Sequence, residues 1–218
     1  MKKIGAFFLA LLLITFFTQE AQALVTFGVK GGINNSKITF SPAITEFLNQ
    51  KYLQTYSAGI FLTINLGPIG FQPEVLYSRR GMQFEYQFNP SEPVSGVKIL
   101  MDYLEIPLLV RLNVIPAGPV KAYIFGGPSY GYMQKAKMQI TLSGNTTTED
   151  IKDDLKSSVL AAVGGVGLDI KIPFLFKVTV DARYHYGLSN ILSANSNFLG
   201  LTDKARNTGY SFMVGIGF

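Results

Sequence analysis

Cysteine is absent from this sequence of 218 residues, histidine occurs once, and charged residues make up only 15%. Without Cys there is no disulfide scaffold, zinc–thiolate site, iron–sulfur cluster or Cys nucleophile. The charged share falls well below the usual value of about 25%, and a soluble domain normally carries more to keep its surface wet. Beyond the N-terminus, no apolar run reaches the about 20 residues that a helical membrane span needs. Disorder is excluded by the apolar content of 48% and by 11 Tyr and 17 Phe. What remains is a chain too apolar for an ordinary soluble surface, yet lacking membrane helices.

The N-terminus explains part of the apolar excess. Lys2 and Lys3 precede an apolar stretch from Ile4 to Phe17, and Ala21-Gln22-Ala23 supplies a small-x-small cleavage site. The expectation is a secretory signal peptide over residues 1–23, cut after Ala23, with residues 24–218 forming one domain. The formal charge is +5, but the basic residues are scattered singly. With export, that argues against nucleic acid as a partner.

Period-two alternation runs through the rest of the chain and marks eight strands. These cover about Leu24–Asn34, Thr55–Leu66, Ile69–Arg80, Leu100–Asn113, Val120–Met133, Ser158–Ile172, Phe176–Tyr186 and Tyr210–Phe218. After Gly81 the apolar parity shifts to Met82, Phe84, Tyr86 and Phe88, which suggests a bulge or a strand extended beyond the membrane. The connections near 67–68, 114–119 and 173–174 are short, whereas those near 35–54, 81–99, 134–157 and 189–207 are long and mostly polar. Such asymmetry, with an even strand count, predicts an all-β, antiparallel, up-and-down transmembrane β-barrel with short periplasmic turns and four long extracellular loops.

Aromatic placement supports that topology. Tyr56, Tyr77, Tyr103, Tyr130, Tyr132, Tyr184, Tyr186 and Tyr210 fall near the loop end, and Phe71, Phe174, Phe176 and Phe218 near the turn end. Two aromatic girdles are expected where rings favour the headgroup level. A strand frequency effect would explain how many tyrosines there are, but not their sorting to one end.

A strand in hydrocarbon must have its backbone paired, so the sheet closes, its outside is apolar and its inside is free to be polar. The inward face carries Lys30, Glu74, Glu105, Arg111, Asp169, Lys171, Asp181 and Arg183. Eight strands leave an interior just wide enough for side chains to fill. A packed network is therefore favoured over an ion path, with Glu74, Glu105, Arg111, Asp181 and Arg183 as its candidate members.

Four stretches look familiar: Phe71–Ser78, Tyr103–Leu109, Tyr123–Ser129 and Arg183–Leu188. Together they resemble the PorT-like outer-membrane β-barrel family of Bacteroidota, with Leu104-Glu105-Ile106-Pro107-Leu108 the most distinctive. The resemblance implies an eight-stranded outer-membrane barrel inserted by the barrel-assembly machinery, and the C-terminal strand ending in Phe218 is similar to the signal that machinery reads. The namesake branch is linked to a secretion apparatus. The resemblance supplies no catalytic residues.

Acyl-transfer chemistry, if present, would centre on His185, which has Ser189 and Asp181 nearby in sequence. His185 shares the inward parity of Asp181 and Arg183, so a rim histidine bonded to a loop is favoured over an acyl-transfer base. The clusters at Gly126-Gly127-Pro128 and Gly164-Gly165-Val166-Gly167 lack the helix and Lys of a phosphate loop; glycine here more often eases curvature or fits beside a large lumen side chain. Ser41 to Leu48 has a helix-start pattern. Asp150, Asp153 and Asp154 lack a calcium-loop pattern. No catalytic, cofactor or metal site is expected. The leading expectation is a monomeric barrel acting as a structural or interaction protein, in contact with outer-membrane lipid, lipopolysaccharide or a protein partner. The rivals are a narrow porin-like channel and a lipid-modifying enzyme.

Overall fold

Because side chains alternate across a pleated strand, an alternating sequence can bury one face only by turning it toward a common interior. The structure, a computed structural model, describes residues 24–41, 50–86, 95–117, 119–142, 144–172, 176–193 and 204–218. The signal peptide, most of the helix-start segment after Ser41, and Phe174 lie outside the described residues. Eight long antiparallel strands form the wall: β1 (Leu24–Ser41), β3 (Leu53–Leu66), β4 (Ile69–Tyr86), β5 (Ser95–Ala117), β6 (Val120–Leu142), β8 (Ser158–Lys171), β9 (Lys177–Gly187) and β10 (Lys204–Gly217). Two short strands, β2 (Gln50–Lys51) and β7 (Asn145–Asp150), add to the rims of β4 and β6. Among the described residues there is no α-helix, only a 3-10 turn at Lys152–Asp154.

Each long strand pairs with the next, and β10 returns to β1, so the sheet closes into an up-and-down ring. The seam ends with Phe27 and Phe218 exchanging both backbone hydrogen bonds. Closure leaves no free edge in the wall, as hydrocarbon requires. At the turn end, Gly67 adopts φ 65°, a left-handed conformation that suits glycine, and Gly67-Pro68 joins β3 to β4 directly. The opposite end, the mouth, carries the long connections.

Strands reach farther toward the mouth than alternation alone predicted. The 134–157 connection is largely a hairpin in which β6 pairs with β7, from Leu142↔Asn145 to Lys137↔Asp150. The parity shift after Gly81 is strand extension and not a bulge. The register of β4 with β5 is unbroken from Ile69↔Leu112 to Tyr86↔Ser95. Even-numbered side chains of β4 stay inward through Met82 and Phe84; what changes is the chemistry of the interior, from Gln72, Glu74, Ser78 and Arg80 to Met82. One bulge is on β6: Asp102 pairs with Lys135 but Tyr103 with Met133, which passes over Gln134 and reverses the parity of β6; a second register shift falls between Asn113 and Ile115 of β5.

Outward positions are apolar and exposed around the ring, as at Val25, Ile60, Val75, Leu108, Val166 and Val214. Such a belt is costly in water and favourable against lipid.

Candidate functional site: the lumen and its mouth

The interior has two storeys. Toward the turn end, β4, β5 and β8 aim Gln72, Arg111 and Asp169 at one another. The Arg111 guanidinium, fully buried, donates to Gln72 Oε1 at 2.6 Å and to Asp169 Oδ2 at 2.7 Å. It stacks over the Tyr123 ring, 3.5 Å from its centroid. Lys177 also reaches Asp169 Oδ2, at 3.3 Å.

One layer higher, four charges from three strands bond across the lumen. Lys30 Nζ of β1 donates to Glu74 Oε1 of β4 at 2.7 Å and to Asp181 Oδ2 of β9 at 3.0 Å. Arg183 Nη1 donates to Glu74 Oε2 at 2.8 Å, and its Nε to Asp181 Oδ1 at 2.8 Å. Gln72 Nε2 donates to Glu74 Oε1 at 2.6 Å and ties this layer to the one below. Above it, Arg80 grips Glu105 through two bonds of 2.6 and 3.0 Å. Lys30, Arg80, Arg111 and Arg183 thus face Glu74, Glu105, Asp169 and Asp181, all buried and balanced in charge. Balance matters because an isolated buried charge is strongly unfavourable, whereas pairing and hydrogen bonding offset the desolvation.

Glycine creates the space for this packing. A Cβ on Gly167 would lie 2.2 Å from the Tyr123 ring, and one on Gly165 would lie 2.7 Å from the Phe125 ring. Each ring in turn lies against a guanidinium, Arg111 over Tyr123 and Arg183 over Phe125.

The mouth storey is apolar. Ile38, Phe40, Met82, Ile99, Met101, Tyr103, Met133, Ala136 and Ala205 pack together inside the rim. Two connections fold inward over them and add Ile151, Leu155, Ile191 and Leu192. They are held by backbone bonds from Ile151 N to Ala136 O (3.1 Å), Lys156 N to Ile191 O (2.8 Å) and Ile191 N to Ala205 O (2.9 Å). Asn190 Oδ1 accepts from Leu192 N and Ala205 N, which fixes the second connection.

Several sequence expectations can be located against these layers. All five candidates for the network, Glu74, Glu105, Arg111, Asp181 and Arg183, lie inside, but in three groups bridged by residues outside that set. Lys30, Arg80 and Asp169 are the missing partners. Shared parity with Glu74 was the available signal for Arg80. Lys171 is exposed at the turn end and takes no part. Tyr56, Tyr77, Tyr130, Tyr132, Tyr184, Tyr186 and Tyr210 point outward near the mouth, Phe71 points outward near the turns, and Phe176 is half-buried there.

Tyr103 corrects the girdle expectation. It is 1% exposed inside the lumen, and its hydroxyl accepts from Asn207 Nδ2 at 3.1 Å. The reason is parity, since Tyr103 shares the inward face of Glu105 and Arg111. His185 is not a rim residue bonded to a loop either. It is buried on the lumen wall with Arg80, Glu105 and Arg183 as its charged neighbours, and its Nδ1 has no hydrogen-bond partner among the described residues. Ser189 Oγ instead bonds the Leu160 backbone at 2.8 Å, and Asp181 is engaged by Lys30 and Arg183, so no nucleophile–base–acid relay assembles. The apolar anchors Ile151, Leu155, Ile191 and Leu192 were missed; the only signal was isolated apolar residues in polar loops.

A profile of the family described as outer membrane protein beta-barrel domain matches residues 17–193. No curated protein sequence matches the chain. Among solved structures, the chain is similar to Neisserial surface protein A (NspA), at 14% identity and TM-score 0.46, covering 88% of this chain and 97% of that one. It is also similar to Ail, the attachment invasion locus protein of Yersinia pestis, at 15% identity and TM-score 0.42, with 92% and 100% covered. OprG of Pseudomonas aeruginosa matches at 13% identity and TM-score 0.44, with 90% and 96% covered.

Proposed function

Since the chain belongs to the outer membrane protein beta-barrel domain family and its membrane is the outer membrane, we propose that it is a closed, non-enzymatic barrel that works through its mouth-side surface. The observation that carries this reading is the double closure of the lumen. A conducting path needs water along the axis, yet Lys30, Glu74 and Asp181 have side chains at most 1% exposed and bond one another across the interior. Above them the apolar mouth excludes water a second time. What remains available for recognition is the rim: the β6–β7 hairpin and the long connections, in contact with lipopolysaccharide, extracellular ligands or a protein partner.

Planar-bilayer recording tests the closure. Purified barrel is expected to give no reproducible single-channel steps, and steps would overturn the proposal. Profiling lipid A from cells expressing the wild type or His185→Ala tests the non-enzymatic reading; a modification lost in the variant would sink it.

The finer placement is also proposed. The stretches Phe71–Ser78 and Tyr103–Leu109 support a PorT-like affiliation, and crosslinking in intact cells should then recover secretion-apparatus subunits with the barrel. Recovery of monomeric barrel and lipid alone would reject that association. Export with cleavage after Ala23 predicts a mature N-terminus at Leu24, checked by N-terminal sequencing. Insertion by the barrel-assembly machinery through the Phe218 end predicts less membrane-inserted protein when Phe218 is deleted.

A further inference from the structure

The outer wall is apolar along most of its height and gains basic side chains toward the mouth. Toward the mouth of β1, β10 and β9 an open groove of about 430 Å³ is lined by Lys37, Lys204 and Arg206, with Tyr184 and Tyr186 below and Thr39 and Thr208 in its floor. All seven are outward by parity, so the groove faces the membrane side of the wall and not the lumen. The register brings the cations together: Lys37 lies opposite Thr208, Thr39 opposite Arg206 and Ser41 opposite Lys204. Lys37 and Arg206 are therefore diagonal neighbours, and like charges at that spacing repel unless something compensates them.

Among the described residues no carboxylate lines the groove, and none of the three cations makes an ion pair. The Lys37 ammonium lies 5.2 Å from the Tyr52 ring centroid, a contact that stabilises it without supplying an anion. Among the described residues Arg206 Nε is buried without a hydrogen-bond partner, and Arg206 Nη1 reaches the Tyr186 hydroxyl at 3.5 Å. The hydroxyls of Thr39 and Thr208 are 3.1 Å apart. Two hydroxyls sharing one bond use one proton between them, so a second O–H donor is left for a ligand. On the β4–β5 wall, by contrast, Arg79 is neutralised by Asp102 through bonds of 2.6 and 2.9 Å. Among the described residues the basic groove has no such internal anion.

Its height identifies the anion. Tyr184, Tyr186 and Tyr210 are outward and partly exposed just below, at the level where aromatic rings meet headgroups. Long cationic side chains at that level extend toward headgroup charge. The geometry points to Lys37, Lys204 and Arg206, with the Thr39–Thr208 pair, as a binding site for a phosphate carried by an outer-leaflet lipid headgroup. The site rests on the outer-membrane placement and is independent of whether the lumen conducts.

Native mass spectrometry of the detergent-purified, full-length barrel tests it, with diphosphoryl lipid A as probe and the same lipid enzymatically dephosphorylated as its control. Wild type should retain the phosphorylated lipid at least tenfold better, and equal retention of the two would overturn the site. The triple variant Lys37→Gln/Lys204→Gln/Arg206→Gln should lose about fivefold in retention per charge removed, whereas Lys135→Gln on the far wall should match wild type. Unchanged retention in the triple variant, with its heat-modifiable gel shift intact, would also overturn it. Inorganic phosphate at millimolar concentration should fail to displace the lipid; displacement would assign the groove to free phosphate and reject the lipid source. Failure of this assay leaves the bilayer recording unaffected, so the two readings stand or fall separately.

Discussion

The charged storey and the apolar storey of the lumen are built on the same strands and the same inward parity, yet they close the barrel by opposite means. Below, Lys30, Glu74, Asp181 and Arg183 are fixed by directional bonds that reach across the interior. Above, Met82, Ile99, Met101 and Met133 fill space without direction. The lower arrangement specifies which strands face one another but tolerates little change. The upper one excludes water from the mouth side of the lumen.

The largest expected effect lies in the charged storey. Glu74→Ala leaves Lys30 and Arg183 buried with half their anionic partners, and removing one member of a buried pair costs about 3–5 kcal/mol. The check is the urea midpoint of the heat-modifiable gel band in micelles. A loss below about 1 kcal/mol would mean that water reaches this layer. A Glu74→Ala/Arg183→Ala cycle should show strong coupling, and a Glu74→Ala/Met101→Ala cycle near additivity, because the two storeys share no partner.

Met101→Ala should cost about 2–5 kcal/mol, toward the low end because flexible Met82 and Met133 can move into the gap. This variant is also the one to record in planar bilayers. If it stays silent, the charged layer suffices to close the barrel. Gly167→Ala presses a methyl group on the Tyr123 ring 2.2 Å away and should cost about 1–3 kcal/mol by overpacking. Adding Tyr123→Leu should recover part of that loss, as measured by the same midpoint, although it also removes the stacking under Arg111.

The smallest effect is outside the membrane. At the rim, Lys51 Nζ lies 2.8 Å from Glu85 Oε2, and that hydrogen bond holds the Glu85 carboxyl below its ordinary range. A depressed carboxyl contributes stability above its unfolded pKa and loses it as pH falls through the lower, folded value. The pair is exposed and screened by solvent, so Glu85→Gln should shift stability at neutral pH by only about a few tenths of a kcal/mol. The difference from wild type should vanish once the solution is acidic enough to protonate Glu85. A pH series of unfolding midpoints measures it, and a shift as large as that of Glu74→Ala would erase the contrast between buried and exposed pairs.

Legibility in the sequence followed the range of the interactions. The strands, their facing and the short-turn end were readable because each depends on neighbours within a few residues. The inward position of Arg80 was readable from parity, but not its partnership with Glu105, 25 residues away. Tyr103 misled because a position near the loop end was given more weight than its facing. Ile151 and Leu155 were hidden because a loop has no period; only the inward fold of its backbone onto Ala136 shows that they are buried.

By itself the sequence determined a lipid-facing, period-two wall and a polar interior, since pleat geometry is local and hydrocarbon accepts only apolar side chains. It did not determine how that interior is closed. Lys30 and Asp181 are 151 residues apart in the chain, and only ring closure, with the register of every strand pair set, brings them within one hydrogen bond. The same closure sets Lys37, Arg206 and Lys204 around one groove. Which charges neutralise each other and which are left for a ligand is thus a property of the closed barrel, because cross-strand distance is fixed by register and not by separation along the chain.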